Sequence, residues 1–307
     1  MSLTTTFLGT AGSIPTPERS LPAILIQREN EQVMFDCGEG VQRQMIKAKT
    51  GFHKKMKIFI THMHGDHVLG LPGLLQTMAL LDRKRKLEIY GPVGVKSFLE
   101  CTRETVQFVL TFPIELFEIK TAGIICDEKE YTVQAAWANH VIPSFAYVFT
   151  EKTRPGHFYP AKAKKLGVPE GPLWSRLQDG QEVIVPHGRV VKPEEVLGKP
   201  RLGRKIVYTG DARSVKNLVR FGANADLLIY DSTLDDSLAD KAEEDGHSTP
   251  SQAARAARKM GAKLLVLTHI SARYPENDLL LKQAQRIFKN TIVAEDFMKI
   301  EIPFPED

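Results

Sequence analysis

The sequence predicts a layered α/β fold, because short apolar runs rich in β-forming residues are interspersed with helical patterns in both halves of the chain. A chain of 307 residues with 42% hydrophobic and 25% charged side chains is ordinary for a protein with one large core or two modest ones. Residues 151–205 interrupt the alternation with seven prolines. We therefore predict one α/β body, residues 1–150 and 206–307, with an inserted arm at 151–205.

The predicted elements follow from apolar runs and helical periodicity. Strands are predicted at 4–8, 22–26, 33–35, 57–60, 87–90, 131–137, 144–149, 206–209, 227–230, 264–268 and 292–294. Helices are predicted at 38–49, 71–82, 92–104, 250–260 and 278–288. Pro72 and Pro250 lie near helix starts, where a missing N–H costs nothing, and Thr249 is placed to cap the second of these helices.

Membrane and disulfide-rich classes are not expected. No apolar run approaches the roughly 20 residues that a bilayer crossing requires, and the first residues lack the basic and apolar regions of a signal peptide. Cys37, Cys101 and Cys126 are odd in number and far apart, which fits neither a disulfide framework nor a cysteine-rich zinc site. We expect a reduced, cytoplasmic protein with no membrane partner.

The positive charge is concentrated in the arm. Residues 151–205 hold 12 Lys/Arg and 6 Asp/Glu, a local net charge of +6, whereas the rest of the chain holds 29 and 31, a net charge of −2. This asymmetry favours an acidic partner such as nucleic acid. Leu166, Leu173, Trp174 and the run 183–185 indicate that the arm has structure of its own, the alternative being a disordered linker. We predict turns and a short hairpin within it.

Polar side chains gather where predicted strands end. The stretch "KIFITHMHGDH" at 57–67 runs from a strand into three histidines and an aspartate, "IVYTGD" ends on Asp211, and "LLVLTH" ends on His269. Functional groups commonly collect outside the carboxyl ends of strands in α/β sheets. His140, which follows the strand at 131–137, is a fourth candidate, although a lone His140 or His269 is more often no ligand at all.

These residues form a set of seven candidate metal ligands: His62, His64, Asp66, His67, His140, Asp211 and His269. Imidazole and carboxylate suit zinc, with manganese or iron as alternatives. Seven ligands exceed the needs of one tetrahedral ion but suit two ions if a carboxylate, most plausibly Asp211, bridges them. Two-metal sites serve phosphoester chemistry. His53, His157 and His187 lack such a context, and we expect them at the surface.

The motif "THMHGDH" at 61–67 resembles the signature of the metallo-β-lactamase superfamily. "FLGTAGSIP", "FDCGEGVQRQM", "GLPGLL", "YTGDAR", "DGHSTPSQAA" and "LTHISARY" are similar to one of its branches, the ribonuclease Z family of tRNA 3′-processing endonucleases, in its short form. The similarity extends over essentially the whole chain. It implies a four-layer αββα sandwich with two zinc ions, one held by His62, His64 and His140, the other by Asp66, His67 and His269, with Asp211 shared.

The resemblance also implies how the substrate is held. The arm, with its Gly171-Pro172 element and basic residues Lys162, Lys164 and Lys165, is expected to grip the elbow of a tRNA, and the family usually forms homodimers. Ser271 and Arg273 of "SARY" are expected phosphate contacts, since guanidinium binds phosphate bidentately; the alternative for Arg273 is a surface ion pair. Arg19 lies in the 15–20 loop, which in the family is thought to sense nucleotides after the cleavage point.

Three further residues receive chemical roles. Asp66 is expected to accept or orient the proton of the attacking water, or else to act only as a ligand. His247 of "DGHST" is the candidate proton donor to the departing ribose 3′-oxygen. Asp231 in "YDST" stands where the family has a supporting glutamate.

The function expected from these features is a metal-dependent hydrolase, an endoribonuclease that removes the 3′ trailer from precursor tRNA. It leaves a 3′-hydroxyl on the tRNA and a 5′-phosphate on the trailer. The alternatives are a phosphodiesterase or other hydrolase for a small molecule, which does not require a basic arm, and an RNA-binding protein with a vestigial metal site.

Overall fold

The computed structural model describes residues 2–213 and 218–305, which divide into two compact units. Unit 1 contains the chain up to Glu128 together with 132–150 and 205–303. Unit 2 contains 129–131, 151–204 and the chain from Phe304 onward. None of the described helices combines the length and the apolar character that a bilayer crossing requires.

The strands are β1 (Leu3–Gly9), β2 (Ala11–Gly12), β3 (Ala23–Arg28), β4 (Glu31–Phe35), β5 (Lys55–Phe59), β6 (Leu87–Pro92), β7 (Ile114–Ile119), β8 (Gly123–Asp127), β9 (Tyr131–Ala138), β10 (Ser144–Glu151), β11 (Val183–Ile184), β12 (Val190–Val191), β13 (Lys205–Tyr208), β14 (Leu227–Asp231), β15 (Leu264–Thr268), β16 (Ile270–Ser271), β17 (Thr291–Val293) and β18 (Lys299–Glu301). The helices are α1 (Val41–Lys47), α2 (Gly65–Val68), α3 (Gly70–Leu80), α4 (Val95–Val106), α5 (Pro160–Lys165), α6 (Pro172–Gln178), α7 (Pro193–Val196), α8 (Leu218–Phe221), α9 (Ala239–Asp245), α10 (Pro250–Met260) and α11 (Asp278–Gln285).

Two seven-stranded sheets form the centre of unit 1. The first has the order β18-β1-β3-β4-β5-β6-β7 and the second has the order β17-β15-β14-β13-β10-β9-β8. Strands β4 to β7 are parallel to one another, as are β13, β14, β15 and β17. Parallel neighbours bring their carboxyl ends to one edge of a sheet, where functional groups commonly collect.

Helices cover the outer face of each sheet. Leu71, Leu75 and Met78 of α3 pack with residues of α1, α4 and the first sheet in one buried apolar cluster. Ala253 and Ala257 of α10 pack with α11 and the second sheet in another. The predicted four-layer αββα sandwich is confirmed.

Aromatic side chains fill the space between the sheets. The ring of Phe35 stacks on Tyr147 and on Tyr208, with centroids 5.6 and 5.7 Å apart. Both tyrosines are almost fully buried, so each hydroxyl needs a partner. The Tyr147 hydroxyl donates to the carbonyl of Ile60 at 2.5 Å, and the Tyr208 hydroxyl donates to Asp36 at 2.8 Å. The apolar interior of the sandwich therefore carries polar contacts toward the end of β5.

The backbones of the "FDCGEG" and "GLPG" segments approach each other closely. A Cβ at Gly70, at the start of α3, would lie 2.0 Å from the carbonyl oxygen of Gly38. Because no larger residue fits, the "FDCGEG" and "GLPG" segments can pack directly against each other just behind α2, the helix that contains His67.

The structure adds strands that the sequence patterns did not predict. The apolar residues of β7 are interrupted by Glu115 and Glu118, and β8 and β18 are short edge strands. Helix α4 begins at Val95, later than predicted, because β6 continues to Pro92.

Unit 2 has a small core of its own. Seven buried apolar residues form it: Ala163, Val168, Leu177, Val183, Val185, Val191 and Val196. The β11–β12 hairpin contributes to this core, as do α5, α6 and α7, three short helices where only turns were expected. Three of the seven prolines in the arm, Pro160, Pro172 and Pro193, stand at helix starts, where proline is tolerated.

A buried ion pair joins the two ends of the 151–204 segment. The Arg204 guanidinium donates to both carboxylate oxygens of Glu151, at 2.6 and 2.8 Å, and it lies over the ring of Phe304. Both charged side chains are at most 4% exposed. The loss of one partner from a buried pair is strongly destabilising, whereas exposed pairs contribute little.

We expect Glu151→Gln to lower the unfolding free energy of unit 2 by about 3–5 kcal/mol, because it removes the negative charge placed against a buried guanidinium. The matched control is Arg189→Gln, which breaks the exposed ion pair with Glu195 and should leave the transition nearly unchanged. Urea unfolding is followed by Trp174 fluorescence in a Trp137→Phe background, since the chain has two tryptophans. Equal changes of the unfolding free energy in both variants would contradict the stabilising role of the buried Glu151–Arg204 ion pair.

Candidate metal centre

Strand ends from both sheets of unit 1 deliver the candidate ligands to one place. His62 follows β5 and His140 follows β9, each within three residues of the strand end. Asp211 and His269 follow β13 and β15, and Asp231 is the last residue of β14. The remaining members, His64, Asp66 and His67, lie in or beside the short helix α2.

Three ring nitrogens and one carboxylate oxygen form a first donor group. Nδ1 of His64 lies 3.0 Å from Nε2 of His62 and 3.2 Å from Nε2 of His140. Oδ2 of Asp211 lies 3.7 Å from Nε2 of His62. The donor atoms of these four residues all lie within 4.8 Å of one another.

A second donor group uses the other oxygen of the same aspartate. Oδ1 of Asp211 lies 3.2 Å from Nε2 of both His67 and His269. Oδ2 of Asp66 lies 3.5 and 3.4 Å from the same two nitrogens. Asp211 therefore faces each group with a different oxygen.

The spacing of these atoms fits metal coordination. Ligand distances of about 2.0–2.2 Å in a tetrahedron place neighbouring ligand atoms about 3.4 Å apart, close to the separations in both groups. Nε2 of His67 and Oδ1 of Asp211 are buried and make no hydrogen bond within the described residues. A buried polar atom without a partner is energetically costly. A cation bound between these two atoms would give each of them the favourable partner that the protein does not provide. The cluster suits a metal.

Other protein groups orient the rings. Four histidines use Nδ1 toward the protein and so turn Nε2 inward; their partners are the Thr61 hydroxyl for His62 (2.9 Å), Asp36 for His67 (2.7 Å), the Gly246 carbonyl for His140 (2.8 Å) and the Thr233 hydroxyl for His269 (2.8 Å). His64 is the exception, since it turns Nδ1 inward. Such contacts fix the tautomer and direction of a ligating ring.

The electrostatics keep donor atoms available. Burial lowers the pKa of His62, His64 and His140, so these rings are neutral near pH 7 with free lone pairs. Although burial opposes it, the neighbouring His269 and His67 lower the pKa of both Asp66 and Asp211, which are therefore ionised. Three neutral imidazoles thus stand beside two ionised carboxylates, whereas the charges of Asp211 and Asp36 raise the pKa of His67 against the effect of its burial.

His247 and Asp231 form a hydrogen-bonded pair beside the cluster. Nδ1 of His247 lies 2.9 Å from Oδ2 of Asp231 and 3.9 Å from Oδ2 of Asp211. Burial opposes protonation of the ring, but the charge and hydrogen bond of Asp231 raise the pKa of His247 to about 9. Asp231 is itself held by the backbone N–H groups of Ala212 and Thr233. The shorter aspartate side chain thus reaches His247 directly.

His269 stands in a strained backbone conformation. Its φ of 60° is in the left-handed region, which costs a non-glycine residue on the order of 1–3 kcal/mol. Gly12 makes room for it, since a Cβ there would lie 2.8 Å from Nδ1 of His269 and from its carbonyl oxygen. The pairing of β2 with β16 holds these two segments together.

The expected substrate contacts in unit 1 are placed differently from one another. Arg273 is exposed and Ser271 partly exposed, just beyond His269. Arg19 is only 7% exposed, and its guanidinium donates to the Thr10 hydroxyl, the Ala294 carbonyl and the Asn277 side chain. The guanidinium of Arg19 therefore holds its own loop in place, and the expected contact of Arg19 with substrate stays a prediction.

The expected contacts in unit 2 lie on its surface. Lys162, Lys164 and Lys165 are exposed on α5. Gly171 and Pro172 are exposed at the start of α6. Lys162 lies over the ring of Tyr159, and Lys164 pairs with Glu170 at 3.0 Å.

Sequence reasoning assigned no role to Asp36, Thr61 or Thr233, the side chains that orient three of the ligating rings. Asp36 offered a usable signal, because it directly follows an apolar strand just as His62 does. Thr61 carries no comparable signal, since a hydroxyl beside a histidine is common in any sequence, and Thr233 lies 36 positions from His269.

Comparisons with known proteins extend over the whole chain. Residues 185–270 match the family model "Beta-lactamase superfamily domain", and residues 3–105 match "Anti-Pycsar protein Apyc1". The chain is 47% identical to ribonuclease Z of Methanosarcina acetivorans, over 97% of this chain and 98% of that protein. It is 45% identical to ribonuclease Z of Archaeoglobus fulgidus, with 98% of each chain covered.

Solved structures agree with the sequence relatives. The crystal structure of human tRNase Z, short form, is similar with a TM-score of 0.74 and 34% identity, covering 98% of this chain and 100% of that chain. The metallo-β-lactamase fold protein YhfI of Bacillus subtilis has a TM-score of 0.68 at 19% identity, with 98% and 99% covered, which indicates a shared fold.

We expect Gly12→Ala to reduce the metal content of the protein, because the added methyl group displaces the His269 ring from the second donor group. Bound metal is measured by elemental analysis after dialysis against a defined zinc concentration. Gly73→Ala is the matched control, since its Cβ meets only the flexible end of the Gln42 side chain. Unchanged metal content in Gly12→Ala would contradict the role of His269.

Proposed function

The chain belongs to the ribonuclease Z family, and we propose that it is a zinc-dependent endoribonuclease which removes the 3′ trailer from precursor tRNA. The products are a tRNA with a 3′-hydroxyl and a trailer with a 5′-phosphate. The observation that carries this function is the pair of donor groups joined by Asp211. Similarity to ribonuclease Z along the full chain supports the choice of an RNA substrate.

The centre has room for two ions in this proposal. His62, His64 and His140 would hold one, Asp66, His67 and His269 would hold the other, and Asp211 would offer an oxygen to each. Zinc bound there supplies Lewis-acid activation of water and neutralises charge on the scissile phosphate. Manganese or iron can fill the same imidazole and carboxylate positions.

Asp66 is the proposed proton acceptor for the attacking water. Its side chain is 12% exposed, whereas the other members of the second donor group are at most 3% exposed. The backbone N–H of Ser13 donates to Oδ2 of Asp66 at 3.0 Å and holds the carboxylate in place. The carboxylate is thus the part of this group that solvent reaches.

His247 is the proposed proton donor to the departing ribose 3′-oxygen. Asp231 holds Nδ1 of the ring at 2.9 Å, which leaves Nε2–H to face the substrate. Arg273 is exposed a few residues beyond His269, and within the described residues it makes no ion pair. We assign its guanidinium, with the Ser271 hydroxyl, to phosphate oxygens of the substrate.

Unit 2 is proposed to be the tRNA-binding arm of the enzyme. Its lysines on α5 are exposed, and the 151–205 segment carries a net charge of +6. Its small core makes it a folded surface on which such charges keep fixed positions. The proposal extends to a homodimer, as the family resemblance implies, and to the cytoplasm, because Cys37, Cys101 and Cys126 are all free thiols, which fits a reducing compartment.

The central test is incubation of a 3′-extended precursor tRNA with zinc-loaded protein, with both product ends mapped. We expect one cut after the acceptor stem, and Asp66→Ala should lower kcat by at least roughly 10²- to 10⁴-fold, because the variant loses the proposed proton acceptor and one residue of the second donor group. His53→Ala is the matched control, an exposed histidine outside the cluster. Hydrolysis of bis(p-nitrophenyl) phosphate without any cut in the tRNA would instead support the small-molecule hydrolase.

Changing Lys162, Lys164 and Lys165 together to Gln should weaken tRNA binding and reduce the slope of log K against log salt by about 2 to 3, because each phosphate contact releases counterions. Hydrolysis of bis(p-nitrophenyl) phosphate should be unchanged. The control replaces three exposed lysines of unit 1 that are paired with acidic neighbours: Lys96, Lys241 and Lys282. An equal loss of slope in both triple variants would overturn the arm assignment.

A further inference from the structure

An aromatic side chain is exposed on the strand that leads to one of the candidate metal ligands. Trp137, near the end of β9, is 44% exposed, although Ala135 and Ala136 just before it are fully buried. It lies three residues before His140, a member of the first donor group. The mechanism described above gives this side chain no role.

Trp137 rests on a rigid support. Its ring lies against Phe145 with centroids 4.3 Å apart and an interplanar angle of 30°. Phe145 is fully buried in β10, and its backbone N–H donates to the carbonyl of Thr61 at 2.9 Å. Because Thr61 directly precedes His62, the indole is held beside the strand end that carries the first ligand.

The same segment leads to the His247 side of the centre. Nδ1 of His140 lies 2.8 Å from the Gly246 carbonyl oxygen, and the rings of His140 and His247 have centroids 5.3 Å apart. His247 is the donor to the 3′-oxygen that leaves. The nucleotide that carries this oxygen, the last nucleotide of the mature tRNA, is therefore expected beside the segment that joins Trp137 to His140.

We propose that the indole of Trp137 stacks on the base of the nucleotide immediately 5′ of the scissile phosphate and positions it for cleavage; this rests on the proposed tRNA 3′-processing function. Aromatic side chains commonly serve as platforms for unpaired RNA bases. Stacking tolerates every base because each has a π face. An enzyme that accepts many RNA sequences can thus hold the reacting nucleotide without reading it.

The test is a double-mutant cycle between protein and RNA. Wild-type and Trp137→Ala enzymes are each given precursor tRNA with an intact or an abasic last nucleotide, and kcat/KM is measured for the four pairs. We expect Trp137→Ala to lose roughly 5- to 150-fold on intact RNA, the range for one base stack. The wild-type enzyme should lose a similar factor on abasic RNA, and the variant should lose nothing further there.

Two patterns of kcat/KM in this cycle overturn the stacking proposal while leaving the proposed function intact. If the two losses of kcat/KM multiply when the Trp137→Ala enzyme is given abasic RNA, Trp137 acts independently of the last tRNA base, as a purely structural residue does. If Trp137→Ala is instead coupled to removal of the base of the first trailer nucleotide, the indole stacks on the nucleotide 3′ of the scissile phosphate. If the wild-type enzyme leaves the intact precursor uncut, the proposed function fails and the stacking assignment with it.

Matched variants separate stacking from folding. Trp137→Phe keeps an aromatic face and should retain most of the activity, with an unchanged thermal midpoint. Phe117→Ala removes another exposed aromatic that lies on a buried one: Phe117 is 40% exposed and stacks on Tyr90 with centroids 4.6 Å apart, two strands from β5. It should show no coupling to the abasic substitution. A loss in Phe117→Ala equal to that in Trp137→Ala overturns the proposal.

Discussion

The buried carboxylate of Asp36 is the contact on which both sheets and the metal centre depend. Oδ1 accepts from the backbone N–H and hydroxyl of Thr61 at 2.7 and 2.9 Å. Oδ2 accepts from the Tyr208 hydroxyl at 2.8 Å and lies 2.7 Å from Nδ1 of His67. One side chain thereby joins the first sheet, the second sheet and a ring of the second donor group. The free energy of these hydrogen bonds offsets the cost of the left-handed backbone conformation of Asp36, which is on the order of 1–3 kcal/mol.

Much of this centre could be predicted because its signal is local. His62, Asp211 and His269 each follow a buried apolar strand, and parallel strands carry such residues to one edge. The helix α10 was equally predictable, since Thr249 and Pro250 mark its start and its alanines repeat with helical spacing. Such features depend on a few neighbouring residues, and tertiary contacts do not override them.

The remainder depends on contacts between distant residues. Arg19 reads as an exposed loop residue until Asn277 and the Ala294 carbonyl are placed against it. The helices of unit 2 were not predicted because their prolines signal turns as strongly as helix starts, and only packing decides between the two. The exposure of Trp137 also could not be predicted, since β9 is otherwise rich in buried residues.

The division of the donor atoms between the sheets links catalysis to the folding equilibrium. His62, His64, Asp66 and His67 follow β5 of the first sheet, whereas His140, Asp211 and His269 follow strands of the second. A cation held by all of them binds the native chain and has no equivalent site in the unfolded one. By mass action its free concentration then adds to native stability. Scarcity of such an ion would then reduce the amount of folded enzyme as well as its turnover.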